Sequence, residues 1–439
     1  MLDNNTFVLA NFIQNHPVLR ERRTYINKYC SVLELYTLRY NGNDETAKAS
    51  LLNYKKAFGC ENSDTVTEAL IKSYSKNIVG NRFDFKRFKL FTYRYCLLCD
   101  LFMINCFDNK DKAQKILAEI KMIFKERYHP KIDRLFALLY DEVGDAKEFD
   151  LVQHQVDCWQ KNKRFLEKPE KKILITANMS AGKSTLINAL IGKPINRTMN
   201  DTCTAKIHYI YEKAFEDHYT HEWDYEVNLN ADKEILFEDD KRNKEKFIWV
   251  ATHFNLSSDH KSRLCIIDTP GVNSAANKDH GELTKQTILN EQYDLLVYVV
   301  NAENVGTEDD LRHLIFIKEN VPQNKIIFVL NKLDRFKKSE DSISESIENL
   351  RRDLISRGFE YPTICPVSSY LAFLYKFEKS GAKLSNVETR ILATLKIDFA
   401  DDEFYDLSKY YSHINAIVAD DLLMKSGLFG LEQTILQRS

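Results

Sequence analysis

The chain is short of helix breakers. It has 13 glycines and 8 prolines in 439 residues, and few of either fall in the first 160. Charge of one sign is lacking too. Lys and Arg total 62 against 64 Asp and Glu, a formal charge of -2, which argues against a general nucleic-acid coat, normally clearly basic. Nine cysteines are spread thinly, so reduced thiols and a cytoplasmic setting are the expectation. Cys96-Leu-Leu-Cys99 has the spacing of half a zinc site, but no second such pair accompanies it. Two small apolar residues on a helix are the simpler reading.

Long apolar runs are missing as well. The N-terminus, MLDNNTFVLANF, lacks the basic region and apolar core of a secretory signal. The most apolar helical run, residues 90–107, carries Arg94 and Asp100 and falls short of the roughly 20 apolar residues a membrane span needs. It reads as a buried helix, and any membrane contact would be peripheral.

With 44% hydrophobic residues, the chain can build two or three cored domains. Residues 1–160 read as an all-helical domain, because apolar residues recur at three- and four-residue spacing in YCSVLELYTLRY, AQKILAEIKMIFKERY and IDRLFALLYDEV. Turns are expected at NGND, FDNKD and YHPK. Residues 161–172, polar and basic around Pro169, read as a linker or hinge. From there to 439 the pattern alternates. The runs KILITA, RLCIID, DLLVYVV, KIIFVL and TICPVS read as buried strands, with helical stretches among them. That is the pattern of a doubly wound α/β domain, a mostly parallel sheet with helices on both faces. Ligands of such sheets bind at the carboxyl ends of the strands.

The chemistry-bearing motifs fall at those ends. Ala177-Asn178-Met179-Ser180-Ala181-Gly182-Lys183-Ser184 follows a strand and opens a helix, where backbone N–H groups cradle phosphates. Lys183 would reach the β- and γ-phosphates, the Ser184 hydroxyl would bind Mg²⁺, and Thr185 would stand at the nucleotide. The glycine that usually starts this loop is Ala177, which puts its tight turn in question. Asp268-Thr-Pro-Gly271 ends RLCIID; its carboxylate can hold Mg²⁺ through water, and the Gly271 N–H can meet the γ-phosphate. Asn331-Lys332-Leu-Asp334 ends the next motif-bearing strand. Asp334 can accept from the ring N–H and amine of guanine, a donor pair adenine lacks. Lys332 can pack along the base, and Asn331 can tie the two loops. Ser368 in PVSS stands where a guanine-contacting loop belongs. Thr204 is the first choice for a switch threonine completing the metal's coordination, with Thr198 and Thr202 as competitors. Val272 occupies the position where many GTPases have a water-orienting glutamine, so hydrolysis would need Ser180, the Thr204 segment or a neighbouring molecule.

Residues 211–247, rich in charge, read as added strands and a solvated loop. His218 and His221 are spaced for a metal, but surface histidines are the simpler reading.

SAGKSTLINALIG, TCTAKI, DTPGVNS, VLNKLD and SGLFGLEQTIL together resemble a bacterial dynamin-family GTPase over roughly residues 171–439. The resemblance implies a P-loop GTPase fold and conversion of GTP to GDP and phosphate with Mg²⁺. It implies that Ser180 contacts the β–γ bridge and a catalytic K⁺ or Na⁺ ion. It also implies nucleotide-dependent homodimerisation through the GTPase domain, in line with the position of Val272. Met179 departs from eukaryotic dynamins, which have glutamine there. The family's helical stalk normally follows the GTPase domain, whereas here closing helices alone are expected there. The N-terminal helices are then the candidate lever, with a membrane or a stalk-bearing protein as partner. Two rival functions stand beside this one: a GTP-dependent protein-interaction switch without membrane remodelling, and a nucleotide binder with negligible turnover.

Overall fold

A computed structural model describes residues 4–11, 13–61, 91–149, 151–196, 206–237, 247–271, 279–303, 308–400, 404–411 and 421–438. Two compact units emerge: Met1–Lys168 with Lys213–Asn230, and Pro169–Glu212 with Ala231–Ser439.

The first unit is helical. Its longer helices are α1 (Arg23–Asn41), α2 (Glu45–Ala57), α3 (Arg94–Cys106), α4 (Lys110–Ile123), α5 (His129–Asp141) and α6 (Gln153–Leu166). Every residue of α3 is buried, as befits a helix that is apolar on all sides. Cys96 and Cys99 lie within it. Its acidic residue, Asp100, is satisfied by the Tyr29 hydroxyl at 2.6 Å, His16 Nε2 at 3.0 Å and the Tyr54 hydroxyl at 3.2 Å. Asp44 and Asn109 cap α2 and α4 by accepting from Ala47 and Lys112 N–H groups. YHPK is not a turn between helices: Pro130 sits in the first turn of α5, where its missing N–H is harmless.

The expected linker at 161–172 is not an irregular connector. Residues 161–166 complete α6, whose Trp159, Asn162 and Phe165 are buried, and a strand begins at Glu170. The charged segment departs further from expectation. Lys213–Asn230 belongs to the helical unit and contains a short antiparallel hairpin of His221–Trp223 and Val227–Asn228. Lys213 is fully buried against Asp217, at 2.6 Å, and against His221 Nε2, at 3.1 Å. Asp217 in turn accepts from the Asn11 N–H, and His221 Nδ1 meets the Phe7 carbonyl at 2.7 Å. His221 is therefore an interior residue, and of the two histidines His218 alone is on the surface.

The second unit is a sheet with helices. Its strands are β1 (Glu170–Ala177), β2 (Ile207–Glu212), β3 (Phe247–Thr252), β4 (Arg263–Asp268), β5 (Leu295–Asn301), β6 (Ile326–Asn331) and β7 (Ile364–Val367). They run in the order β3-β2-β4-β1-β5-β6-β7. All neighbours are parallel except β2 with β4. Its longer helices are α7 (Lys183–Ile191), α8 (Asp279–Asn290), α9 (Glu308–Asn320), α10 (Ile343–Ser356), α11 (Ser369–Lys379), α12 (Asn386–Asp398) and α13 (Leu428–Gln437). β5 and β6 are buried almost throughout, so helices cover both faces.

The end of the chain is built into this unit. Lys171 at the start of β1 donates to the carbonyls of Ile435, at 2.7 Å, and Arg438 at the end of α13. At the other end of α13, Gly427 adopts φ 76°, and a Cβ there would lie 2.1 Å from the Pro366 carbonyl oxygen. No helix of the described residues is long and apolar enough to cross a membrane.

Candidate functional site

Three loops meet at the carboxyl ends of β1, β4 and β6. The first joins β1 to α7. Ala177 is the last residue of β1, buried and paired with Val299. The positive φ angles of the loop fall on Ser180, at 62°, and Gly182, at 86°. The position of Ala177 is extended strand, which alanine adopts without strain, and the glycine that the turn needs is Gly182. Gly182 also caps α7, so the helix's unpaired N–H groups open towards the loop.

The second loop follows β4. Asp268 is fully buried and accepts from the Lys183 ammonium on one oxygen and from Asn196 Nδ2, at 2.6 Å, on the other. Thr269 holds the loop to β1 through the Ile175 carbonyl at 3.1 Å. Gly271 lies against Met179: a Cβ added there would be 3.8 Å from its Cα.

The third follows β6. Asn331, 2% exposed, donates to the Ala181 carbonyl at 2.9 Å and accepts from the Ser369 N–H at 3.2 Å. It thus joins the β6 loop to the phosphate-type loop and to the start of α11. Lys332 takes φ 69° and lies 3.6 Å from Glu303; burial pulls its ammonium pKa down. Burial likewise raises the Asp334 carboxyl, while the Ser368 hydrogen bond acts in the opposite direction. Ser368 donates to Asp334 at 2.7 Å and accepts from the Leu371 N–H at 3.4 Å, which caps α11. Ser368 of PVSS, expected on a base-side loop, thus stands beside Asp334.

Asn178, Met179, Ala181, Ser184 and Thr185 lie on the first loop and the first turn of α7. Thr204, Thr198, Thr202 and Val272 lie outside the described residues. Ser184 and the Asp268 carboxylate are hard oxygen donors, which suit Mg²⁺ better than a softer metal. Sequence reasoning missed Asn196 and Asn188. Asn188 Oδ1 accepts from the Ile195 and Asn196 N–H groups at 2.9 and 2.8 Å, and its Nδ2 donates to the Asn196 carbonyl at 2.8 Å. Asn188 is four residues beyond Ser184, on the same face of α7, and that spacing was the available signal.

A strand–loop–helix with Gly182 and Lys183, an aspartate at the next strand end and an Asn-Lys-x-Asp loop tied to both define a P-loop domain of the GTPase type. Residues 173–333 match the model of the Dynamin family. The chain is 29% identical to Dynamin-like protein A of Bacillus subtilis over 196 residues, 43% of this chain and 15% of that protein. It is 25% identical to Dynamin-like protein 1 of Campylobacter jejuni over 365 residues, 66% of this chain and 49% of that one. A solved structure of an oligomerised bacterial dynamin pair aligns over 97% of this chain and 62% of its own, with 16% identity and a TM-score of 0.39. The matched region spans less than half the length of either curated relative.

Proposed function

We propose that this protein binds GTP and hydrolyses it to GDP and phosphate with Mg²⁺. The observation that carries the reading is the Asn331 bridge, which joins the base-side loop to the phosphate-side loop at the edge of the Lys183–Asp268 pair. The bridge sets the separation of the two recognition elements, as a ligand with a base at one end and phosphates at the other requires. Asp334, oriented by Ser368, accepts from the two guanine donors. Lys183 and the N–H groups at the start of α7 meet the charge that develops on the phosphates. Mg²⁺, held by Ser184 and Asp268 together with Thr204, would supply Lewis-acid stabilisation of that charge. Ser180 would face the β–γ bridge and a monovalent cation.

Turnover would be raised by homodimerisation through this domain, since Val272 cannot orient water. Peripheral action at a membrane, with a stalk-bearing or other protein partner, is the outermost part of the reading. It rests on the family resemblance, and liposome co-sedimentation with and without GTP tests it.

The central test measures GTP and ATP hydrolysis against protein concentration, in potassium and in sodium buffers, with Lys183→Ala as control. Specific activity for GTP alone that climbs with concentration and disappears in the variant is the expected result. Tight GTP binding with flat, near-zero turnover would replace the enzyme with a switch or a passive binder. Equal use of ATP would overturn the assignment of Asp334.

A further inference from the structure

Beside the buried Asp268 lies a polar atom with no hydrogen-bond partner among the described residues. Asn196 is 4% exposed. Its Nδ2 donates to Asp268, but its Oδ1 is buried and has no hydrogen-bond partner among the described residues. The amide cannot simply be turned over, because Oδ1 would then face a carboxylate oxygen at 2.6 Å. An unpaired buried carbonyl is costly, and this one is held firmly in place. Asn188 grips the Asn196 backbone through hydrogen bonds to its N–H, its carbonyl and the neighbouring Ile195 N–H. Asn188 is itself fully buried on the Ser184 face of α7. The backbone, not the side chain, fixes the position of Asn196.

We infer that Asn196 is a positioning residue of the divalent-cation site, its Oδ1 accepting a hydrogen bond from the hydration shell of a Mg²⁺ ion held beside Asp268 and Ser184. This rests on the GTP-site reading above. The chemistry suits a hydrated cation, because metal-bound water is a strong hydrogen-bond donor and the Asn196 amide oxygen is an acceptor beside the Asp268 carboxylate. Mg²⁺ keeps several of its waters when protein-bound, and groups that orient such waters and ligands commonly change metal affinity 10- to 100-fold. The amide also acts through its other end, where Nδ2 holds the Asp268 carboxylate in the orientation in which Lys183 reaches it.

The test uses the full chain and a fluorescent GDP analogue, with release of the analogue followed as Mg²⁺ is titrated and in excess chelator. Asn196→Ala keeps the backbone grip of Asn188 and should raise the Mg²⁺ needed for half-maximal retention about tenfold, with affinity in chelator within about twofold of the wild type. Asn196→Asp sets a second carboxylate against Asp268 in place of the donor and should raise the Mg²⁺ requirement at least as much as Asn196→Ala. If both variants leave the Mg²⁺ requirement unchanged, the inference falls. It falls too if Asn196→Ala weakens binding equally in Mg²⁺ and chelator, which would mean a purely structural role. If the wild-type chain shows no Mg²⁺-dependent retention of the analogue, the GTP-site reading itself fails.

Discussion

Gly182 and Asn331 approach so closely that a methyl group on the glycine would lie 2.4 Å from the Asn331 Nδ2. The phosphate-side loop and the base-side loop are thus in direct contact, and the contact admits no side chain. Gly182→Ala combines a left-handed backbone, which costs an L-residue about 1–2 kcal/mol, with displacement of the Asn331 amide. Asn331→Ala leaves the Ala181 carbonyl and the Ser369 N–H without their partner, a loss of about 1–3 kcal/mol. Both variants should lower the midpoint of urea unfolding and weaken guanine-nucleotide binding by more than about tenfold. Retained binding in either would show that the bridge does not set the site.

Ala177→Gly makes the opposite prediction. The position is extended strand paired with Val299, so restoring the usual glycine relieves nothing and loosens the end of β1. Stability should fall by about 0.5–1 kcal/mol, with GTP affinity within about threefold of the native chain. A large gain in affinity, measured by nucleotide titration, would mean that the loop is strained at this residue after all.

A buried ion pair ties the covering helices together behind the site. Lys376 on α11 meets Glu432 on α13 at 2.6 Å, and the second Glu432 oxygen accepts from the Ser257 N–H at 3.0 Å. Glu432→Leu strands a buried ammonium and should cost about 3–5 kcal/mol in denaturant unfolding. Adding Lys376→Met should recover most of that loss. A double variant as unstable as the single one would place the defect in packing, not charge.

Acid should weaken the domain through His313. Its Nε2 lies 3.0 Å from Thr176 Oγ1 at the end of β1, and burial, aided by Lys285, lowers its pKa to about 4. The unfolded chain, with a histidine pKa near 6.5, takes up the proton first. Stability is therefore fully present above that value and is lost as pH falls from about 6.5 towards 4, by about 3 kcal/mol for this group. His313→Gln should flatten that part of the stability–pH curve, as read by urea midpoints between about pH 7 and 4.5. An unchanged slope would assign the acid sensitivity to other groups.

The three loops of the candidate site were legible in the sequence because their motifs are local. Each motif is a few residues at the end of a run of Val, Ile and Leu, and strand ends of a parallel sheet share one edge. The fate of residues 213–230 was not legible. Lys213, Asp217 and His221 read as solvated, yet their partners include the Phe7 carbonyl and the Asn11 N–H, at the far end of the chain. A buried charge cluster and a surface loop have the same composition, and the difference is made by distant backbone. The supposed linker failed for a related reason. Pro169 does mark a boundary, but the basic residues before it are the outer face of a helix whose Trp159 and Phe165 are buried. Asn196 was invisible because one asparagine in a polar stretch carries no pattern. Its importance arises from Asn188, on a helix whose sequence signal is spent on its phosphate-facing first turn.

The hold of Lys171 on the last carbonyls of α13 gives the sheet unit a mechanical property. The start of β1 and the end of α13 are fastened at one corner, while the nucleotide loops lie at the carboxyl ends of the strands. Tension applied between those two points is short-circuited across a few hydrogen bonds and does not stretch the sheet. Whatever pulls on this unit there can do so without prising open the three loops of the candidate site.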